Sequence, residues 1–362
     1  MPANRPPLLS ELQSDTCRLK STTSRRRFLV QAPVFAAGLA ACTREAGQDE
    51  AATDRTAFNS DSKLDTALEM SRHDTISPPA NLPEFHRYDP ALPPLSADRT
   101  LRVHWRAREV PVRISGDTTV GAWTFEGDTP GPVLHVRQGD TIEFTLTNEG
   151  AVPHSMDFHA AQIDPKLAFR SVLKGESVSF TFRPRFPGAF MYHCGTSPVL
   201  LHIGKGMFGA LIVDPHEPLP EAREFVLVQS EWYLSPGPGE IASCDYRKML
   251  GTVPDHVVFN GRPGQYQTEP IRVRRGERVR FYVVSAGPSH PCNFHLVGEQ
   301  FDATWLGSTA EPPLRGVQTF GVAPGGGMVF EMIADIAGEF PFVNHGFGHG
   351  QKGGIGFLVV EE

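Results

Sequence analysis

Four residues in this chain have the types and spacing that hold a redox metal. Cys194 is followed after seven residues by His202, and His202 after four by Met207; His154 lies upstream, just before a candidate strand. Two imidazoles, a thiolate and a thioether are the donor set of a blue-copper electron-transfer site. A soft thiolate gives the electron a fast covalent path. Two nitrogens and a long axial sulfur suit both oxidation states, so little rearranges on transfer. Taken singly, Cys194 reads as a buried core cysteine and Met207 as a core filler. Their joint spacing with two histidines points to copper instead.

A second set overlaps the first. His159 follows His154 by five positions, and residues an odd number apart on an extended strand face opposite ways. His154 can therefore serve the buried site while His159 faces outward. The adjacent pair His193-Cys194 diverges in the same manner. His159 and His193 should meet on an outer face, where another domain could supply a third histidine. An all-histidine site with an open position admits exogenous ligands and suits catalysis.

These residues need rigid strands around them. Val133–Val136, Thr141–Thr147, Ser177–Phe182 and Gly188–Tyr192 show period-2 alternation or a β-branched and aromatic bias. Runs this short and regular indicate an all-β sandwich or barrel. The chain then echoes itself. Val136-Arg137-Gln138-Gly139-Asp140 is matched by Val273-Arg274-Arg275-Gly276-Glu277, and Phe158-His159 by Phe294-His295. Phe186–Phe190 is matched by Ile336–Phe340, and Lys205–Gly209 by Lys352–Gly356. The echoes keep their order, so two β-sandwich domains related by duplication are expected, at about 97–215 and 222–362.

With 362 residues the chain has room for two domains, and 35 Gly and 32 Pro suit strands and turns. A net charge of -7 gives no reason to expect a nucleic-acid partner. The five cysteines form no Cys-x-x-Cys pair, which removes zinc-ribbon and thioredoxin readings. A Cys244–Cys292 bridge is open. Residues 1–42 read as an export signal: Arg25-Arg26-Arg27 precede an apolar run too short to span a bilayer. The arginines look like a twin-arginine signal, and Leu39-Ala40-Ala41-Cys42 resembles a bacterial lipobox with Cys42 as the lipidated residue. A periplasmic or cell-surface lipoprotein follows, touching membrane only by its anchor. Residues 43–96, polar and then Pro-rich, are expected to be a flexible tether.

The chain resembles the copper-containing nitrite reductases over about 100–362. Carriers of the resemblance are Pro153–Ala161, Tyr192-His193-Cys194-Gly195, His202–Gly209, Phe294-His295-Leu296-Val297-Gly298 and Val343-Asn344-His345. The resemblance implies two tandem cupredoxin domains of Greek-key type and two coppers per subunit. It implies type-1 ligands His154, Cys194, His202 and Met207, and type-2 ligands His159, His193 and His345. It implies Asp157 and His295 as the catalytic acid pair and Val297 as the bulky residue over the catalytic copper. It further implies a homotrimer in which His345 completes a neighbour's site. The expected reaction is reduction of nitrite to nitric oxide, the electron crossing from Cys194 to His193. The expected donor is a small cupredoxin or c-type cytochrome. Gln162–Leu167 departs from the family's Gly-rich stretch. By the repeat, His349 matches His202 and competes with His345 as third ligand, while Gly354 replaces Met207. The second domain therefore reads as having lost its own type-1 copper.

Two other readings remain. A multicopper oxidase acting on dioxygen needs His-x-His pairs, of which the chain has none, and Gly195 follows His193-Cys194. A simple electron carrier would not need His159, Asp157, His295 or a second domain.

Overall fold

The computed structural model describes residues 61–72, 76, 81–237 and 240–362. The arginine-rich leader, Cys17 and Cys42 lie outside the described residues. Thr141–Asn148 and Ser177–Phe182 alternate residue by residue between a buried and a more open face. This is what period-2 patterning produces when one face of a strand meets a core.

The strands form four sheets. In the first, Leu234–Ser235, Ile241–Cys244, Thr119–Phe125, Thr100–Arg113, Thr141–Asn148 and Ser177–Phe182 lie side by side in that order. The second runs Leu134–Arg137, Phe208–Asp214, Gly188–His193 and Asp157–Phe158. The third runs His256–Phe259, Arg223–Trp232, Arg278–Gly287, Gly327–Ile333 and Ala303–Trp305. The fourth runs Ile271–Arg274, Ile355–Glu361, Gly338–Asn344, Cys292–Leu296 and Thr319–Val322. The first and third sheets share a motif: a long strand pairs in parallel with the next long strand (Thr100–Arg113 with Thr141–Asn148, Arg223–Trp232 with Arg278–Gly287). The echoes in sequence are thus a duplicated all-β sandwich. One feature crosses the expected boundary: Ile241 and Ala242 pair with Thr119 and Val120 and extend the first domain's sheet.

Each sandwich has its own core. Trp105, Phe144, Phe158 and Tyr192 cluster in the first, with Trp105–Tyr192 and Phe144–Phe158 ring centroids 5.0 and 4.9 Å apart. Phe259, Phe281, Phe294 and Phe342 centre the second. A third apolar layer joins them, with Ala189, Met191, Ala210 and Ile212 facing Val226, Tyr282, Val284 and Val329. The second sheet is therefore buried on both sides. Cys244 and Cys292 are buried free thiols in different cores, so the bridge left open above is not made.

The segment read as a tether is structured where it is described. Asp61–Arg72 is a helix whose Ala67 and Leu68 are buried, and Ser243 Oγ donates to Ser71 O at 3.1 Å. Further on, Leu92 N donates to Glu224 O (3.0 Å) and Val226 N to Pro90 O (2.7 Å). Tyr88 Oη donates to Gly131 O at 3.1 Å. Composition favoured disorder because this stretch carries too few apolar residues for a core of its own. Those few are buried against domains that already have cores.

Arg280 is 2% exposed and reaches Glu331 at 2.6 Å and Glu224 at 2.5 Å. Removing one member of a buried charge group leaves the rest uncompensated. Arg280→Leu is expected to lower unfolding stability by about 3 kcal/mol, read from the midpoint of urea unfolding at unchanged slope.

Candidate metal centres

The strand Gly188–His193 sorts its residues by alternation. Ala189 and Met191 face the second domain, while Tyr192 joins the first core. The next two positions continue the pattern: His193 emerges on the open side, and Cys194, with no exposure, enters the core. The helix Val199–Gly204 then presents His202, and Met207 opens the strand Phe208–Asp214. The loop closes on itself, Met207 N donating to His202 O and Cys194 N to Met207 O, each at 3.1 Å. His154 enters from a bridge with Val172.

His154, Cys194, His202 and Met207 all have 0% exposure. Donor atoms of the two histidines and the cysteine lie within 4.8 Å of one another, with Cys194 Sγ 3.2 Å from His202 Nδ1. Ser155 N donates to Sγ at 3.3 Å. Trp123 sets its edge against both imidazoles, at 5.6 Å from His154 and 4.7 Å from His202. Burial brings His202 down to about 3, so its ring is neutral and its lone pair is available. Burial also pushes the Cys194 thiol up, but His154 and the Thr196 and Ser155 amides outweigh it, leaving the thiol below its usual range. His154 Nδ1 is buried with no hydrogen-bond partner. An orphaned imidazole nitrogen, a neutral imidazole and a thiol inclined to ionise fit a copper ion.

The second set is more open. His159 Nδ1 lies 2.8 Å from Gly325 O and His193 Nδ1 2.9 Å from Cys194 O. A carbonyl only accepts, so each Nδ1 carries the proton and each Nε2 presents its lone pair. The two Nε2 atoms face each other at 3.1 Å, and Asp157 Oδ2 is 3.6 Å from His193 Nε2. Burial is the main reason His193 lies below its usual value. Two lone pairs and a carboxylate at this distance call for a shared cation.

In the second domain, the His295 and His345 rings meet edge to face with centroids 5.1 Å apart, and His295 Nδ1 is 2.6 Å from Gln318 O. Phe347 lies 4.6 Å from the His345 ring, and Val297 is exposed. Among the described residues, only His154/Cys194/His202 and Asp157/His159/His193 bring three candidate donor atoms within 4.8 Å of one another. One chain thus gathers Asp157, His159 and His193 in one set, while His295 and His345 pair with each other in the second domain, Val297 lying two residues beyond His295 in the chain. His349 stands apart from His345, with its ring 4.6 Å from His290. Sequence reasoning passed over Trp123, Glu109 and Gly325. Glu109 lies 3.6 Å from His154 Nε2, and its repeat partner Glu231 was the available signal.

Residues 106–218 and 223–304 each match a family model described as multicopper oxidase. Fold and donor sets together define a two-domain copper protein of cupredoxin type. A copper-containing nitrite reductase of Neisseria meningitidis serogroup A is 34% identical over 284 residues, covering 75% of this chain and 73% of that one. Another, from Pseudomonas chlororaphis, is 33% identical and covers 63% of this chain and 69% of that one. The solved copper nitrite reductase of Nitrosomonas europaea superposes with a TM-score of 0.68 at 35% identity, covering 73% of this chain and 94% of that one. This chain belongs to the copper-containing nitrite reductase family. A solved multicopper oxidase superposes with a TM-score of 0.64 at 26% identity, covering 72% of this chain and 89% of that one.

Proposed function

We propose that this chain reduces nitrite to nitric oxide, taking up one electron and two protons and releasing water. The observation that carries this reading is the pair of facing Nε2 atoms, His159 and His193, beside the Asp157 carboxylate and one peptide bond away from the buried thiol. Copper, when bound, supplies the one-electron redox change and a Lewis-acidic position for the substrate.

His154, Cys194, His202 and Met207 would hold the electron-accepting ion in the dry core, and His159 and His193 the ion at the surface. Two coppers per chain follow. The His193–Cys194 peptide joins the two donor sets covalently, and we assign it the electron path. Asp157 can hold a proton at Oδ2 and pass it to a substrate oxygen, acting as general acid. His295 is the second proton donor in this reading. Its Nδ1 is fixed on Gln318 O, which leaves Nε2 free to exchange a proton.

The separation of the two groups within a chain supports a shared site between copies. His345, His295 and Val297 of one subunit would complete the pocket opened by Asp157, His159 and His193 of its neighbour, in a closed homotrimer. His345 suits this better than His349, because His345 sits beside His295 and His349 does not. A small cupredoxin or c-type cytochrome is the electron donor in this scheme.

The test is anaerobic incubation of copper-loaded protein with a reduced donor and nitrite, with nitric oxide read by an electrode. Sustained nitric oxide is expected, with a solution mass of three chains. Its absence from protein carrying both coppers would refute the reading.

A further inference from the structure

The duplication extends to the very loop that holds the buried donors. In the first domain Cys194 N donates to Met207 O and Met207 N to His202 O. In the second, Asn344 N donates to Gly354 O (2.9 Å) and Gly354 N to His349 O (3.1 Å). Asn344, His349 and Gly354 therefore occupy the places of Cys194, His202 and Met207. Pairing Phe158-His159 with Phe294-His295 sets His290 in the place of His154.

The carboxylate behind the site is repeated too. Glu109 Oε1 accepts from the amides of Ala151 (2.8 Å) and Val152 (2.9 Å) beside His154. Glu231 accepts from the amides of His290 (2.6 Å) and Ser289 (3.3 Å), and its Oε1 lies 3.2 Å from His290 Nδ1. Its Oε2 accepts from the Tyr233 hydroxyl. Each carboxylate thus fixes a turn, and each also faces a histidine.

What the second domain lost is soft sulfur; its imidazoles and carboxylate remain. The His290 and His349 rings lie 4.6 Å apart at 63°, against 5.3 Å and 80° for His154 and His202. Glu231 is 2% exposed, and its only ion-pair partner among the described residues is His290. The Asn344 amide gives its two protons to Gln229 Oε1 (2.6 Å) and Pro291 O (3.0 Å). The same amide nitrogen lies 3.3 Å from His349 Nδ1 and sets that ring beside the site. Burial and the neighbouring His290 hold His349 below its usual value, which keeps it neutral. These three donors stand wider apart than the two sets whose donor atoms all fall within 4.8 Å, and one divalent ion would draw the two imidazoles and the carboxylate together.

We propose that the second domain holds a divalent-cation site formed by His290, His349 and Glu231, at the position equivalent to the first domain's buried centre. Two imidazoles and a carboxylate suit a borderline ion such as Zn²⁺. Without a thiolate, the site adds no blue colour.

The test uses the full, copper-loaded protein exposed to Zn²⁺ and then freed of unbound metal. Elemental analysis of wild type should show about one zinc per chain beyond the copper. His349→Gln and His290→Gln should each lose that zinc while keeping copper content and nitrite turnover. Zn²⁺ should also raise the wild-type melting temperature and leave that of His349→Gln unchanged. Equal zinc in wild type and both variants would overturn the proposal. Loss of copper or turnover in His349→Gln would overturn it as well, placing His349 in the exposed centre. Nitrite turnover is measured on zinc-free protein, so failure of this site and failure of the nitrite reading are separate results.

Discussion

His159→Ala is expected to abolish nitrite turnover while leaving the protein blue. The His159 ring supplies one of two facing nitrogens and is held from behind by Gly325 O at 2.8 Å. Removing it leaves His193 as the sole imidazole of the exposed set within the chain. Losing merely an outer-shell partner costs about 10–100-fold in metal affinity or activity, so loss of a donor should exceed about 100-fold. The buried donors His154, Cys194, His202 and Met207 belong to a different environment with no exposure, and the alanine does not reach them. The measurement is therefore twofold. Reduced donor should still bleach the colour, and nitrite should no longer restore it. Restoration at the wild-type rate would show that His159 is not part of the reducing site.

Asp157→Asn is expected to reduce turnover by about 10²–10⁴-fold, the range for loss of a positioned general acid. The substitution keeps the shape and removes the exchangeable proton. It also spares the frame. Asp157 is held in the strand by its backbone, paired in register with His193, and the His159 and His193 rings are fixed by Gly325 O and Cys194 O. Copper content and blue absorption should therefore match wild type, with the loss falling on kcat. The electron should still reach the exposed site, and the pH dependence of the rate should change because one proton donor is gone. Wild-type kcat in Asp157→Asn would remove Asp157 from the proton path.

Much of this could be read along the chain because its cause is local. Ser177–Phe182 was bounded correctly since every second residue is apolar, and a half-buried strand requires that. The divergence of His193 and Cys194 follows from adjacency on a strand, whatever surrounds it. For His154 and His159 the outcome held, although only Asp157–Phe158 between them is strand. The helix Asp61–Arg72 and the docked segment around Tyr88 were missed because their order comes from contacts far along the chain. Trp123 was missed for a similar reason. Nothing local marks a tryptophan as the wall between two histidines that lie 31 and 79 positions away.

The sequence by itself determined the donor chemistry, because ligand type and loop spacing are properties of neighbouring residues. It also determined the duplication, because the echoes keep their order. Only the tertiary structure decided which histidines face one another. His159 meets His193 because the short strand Asp157–Phe158 pairs with the distant strand Gly188–His193, and His345 lies beside His295 because two others pair in the second domain. His349 turns instead to His290, four residues from His345 in the chain yet in different company. Such choices rest on strand register and on which sheet face is already buried, and those are set by packing between distant segments.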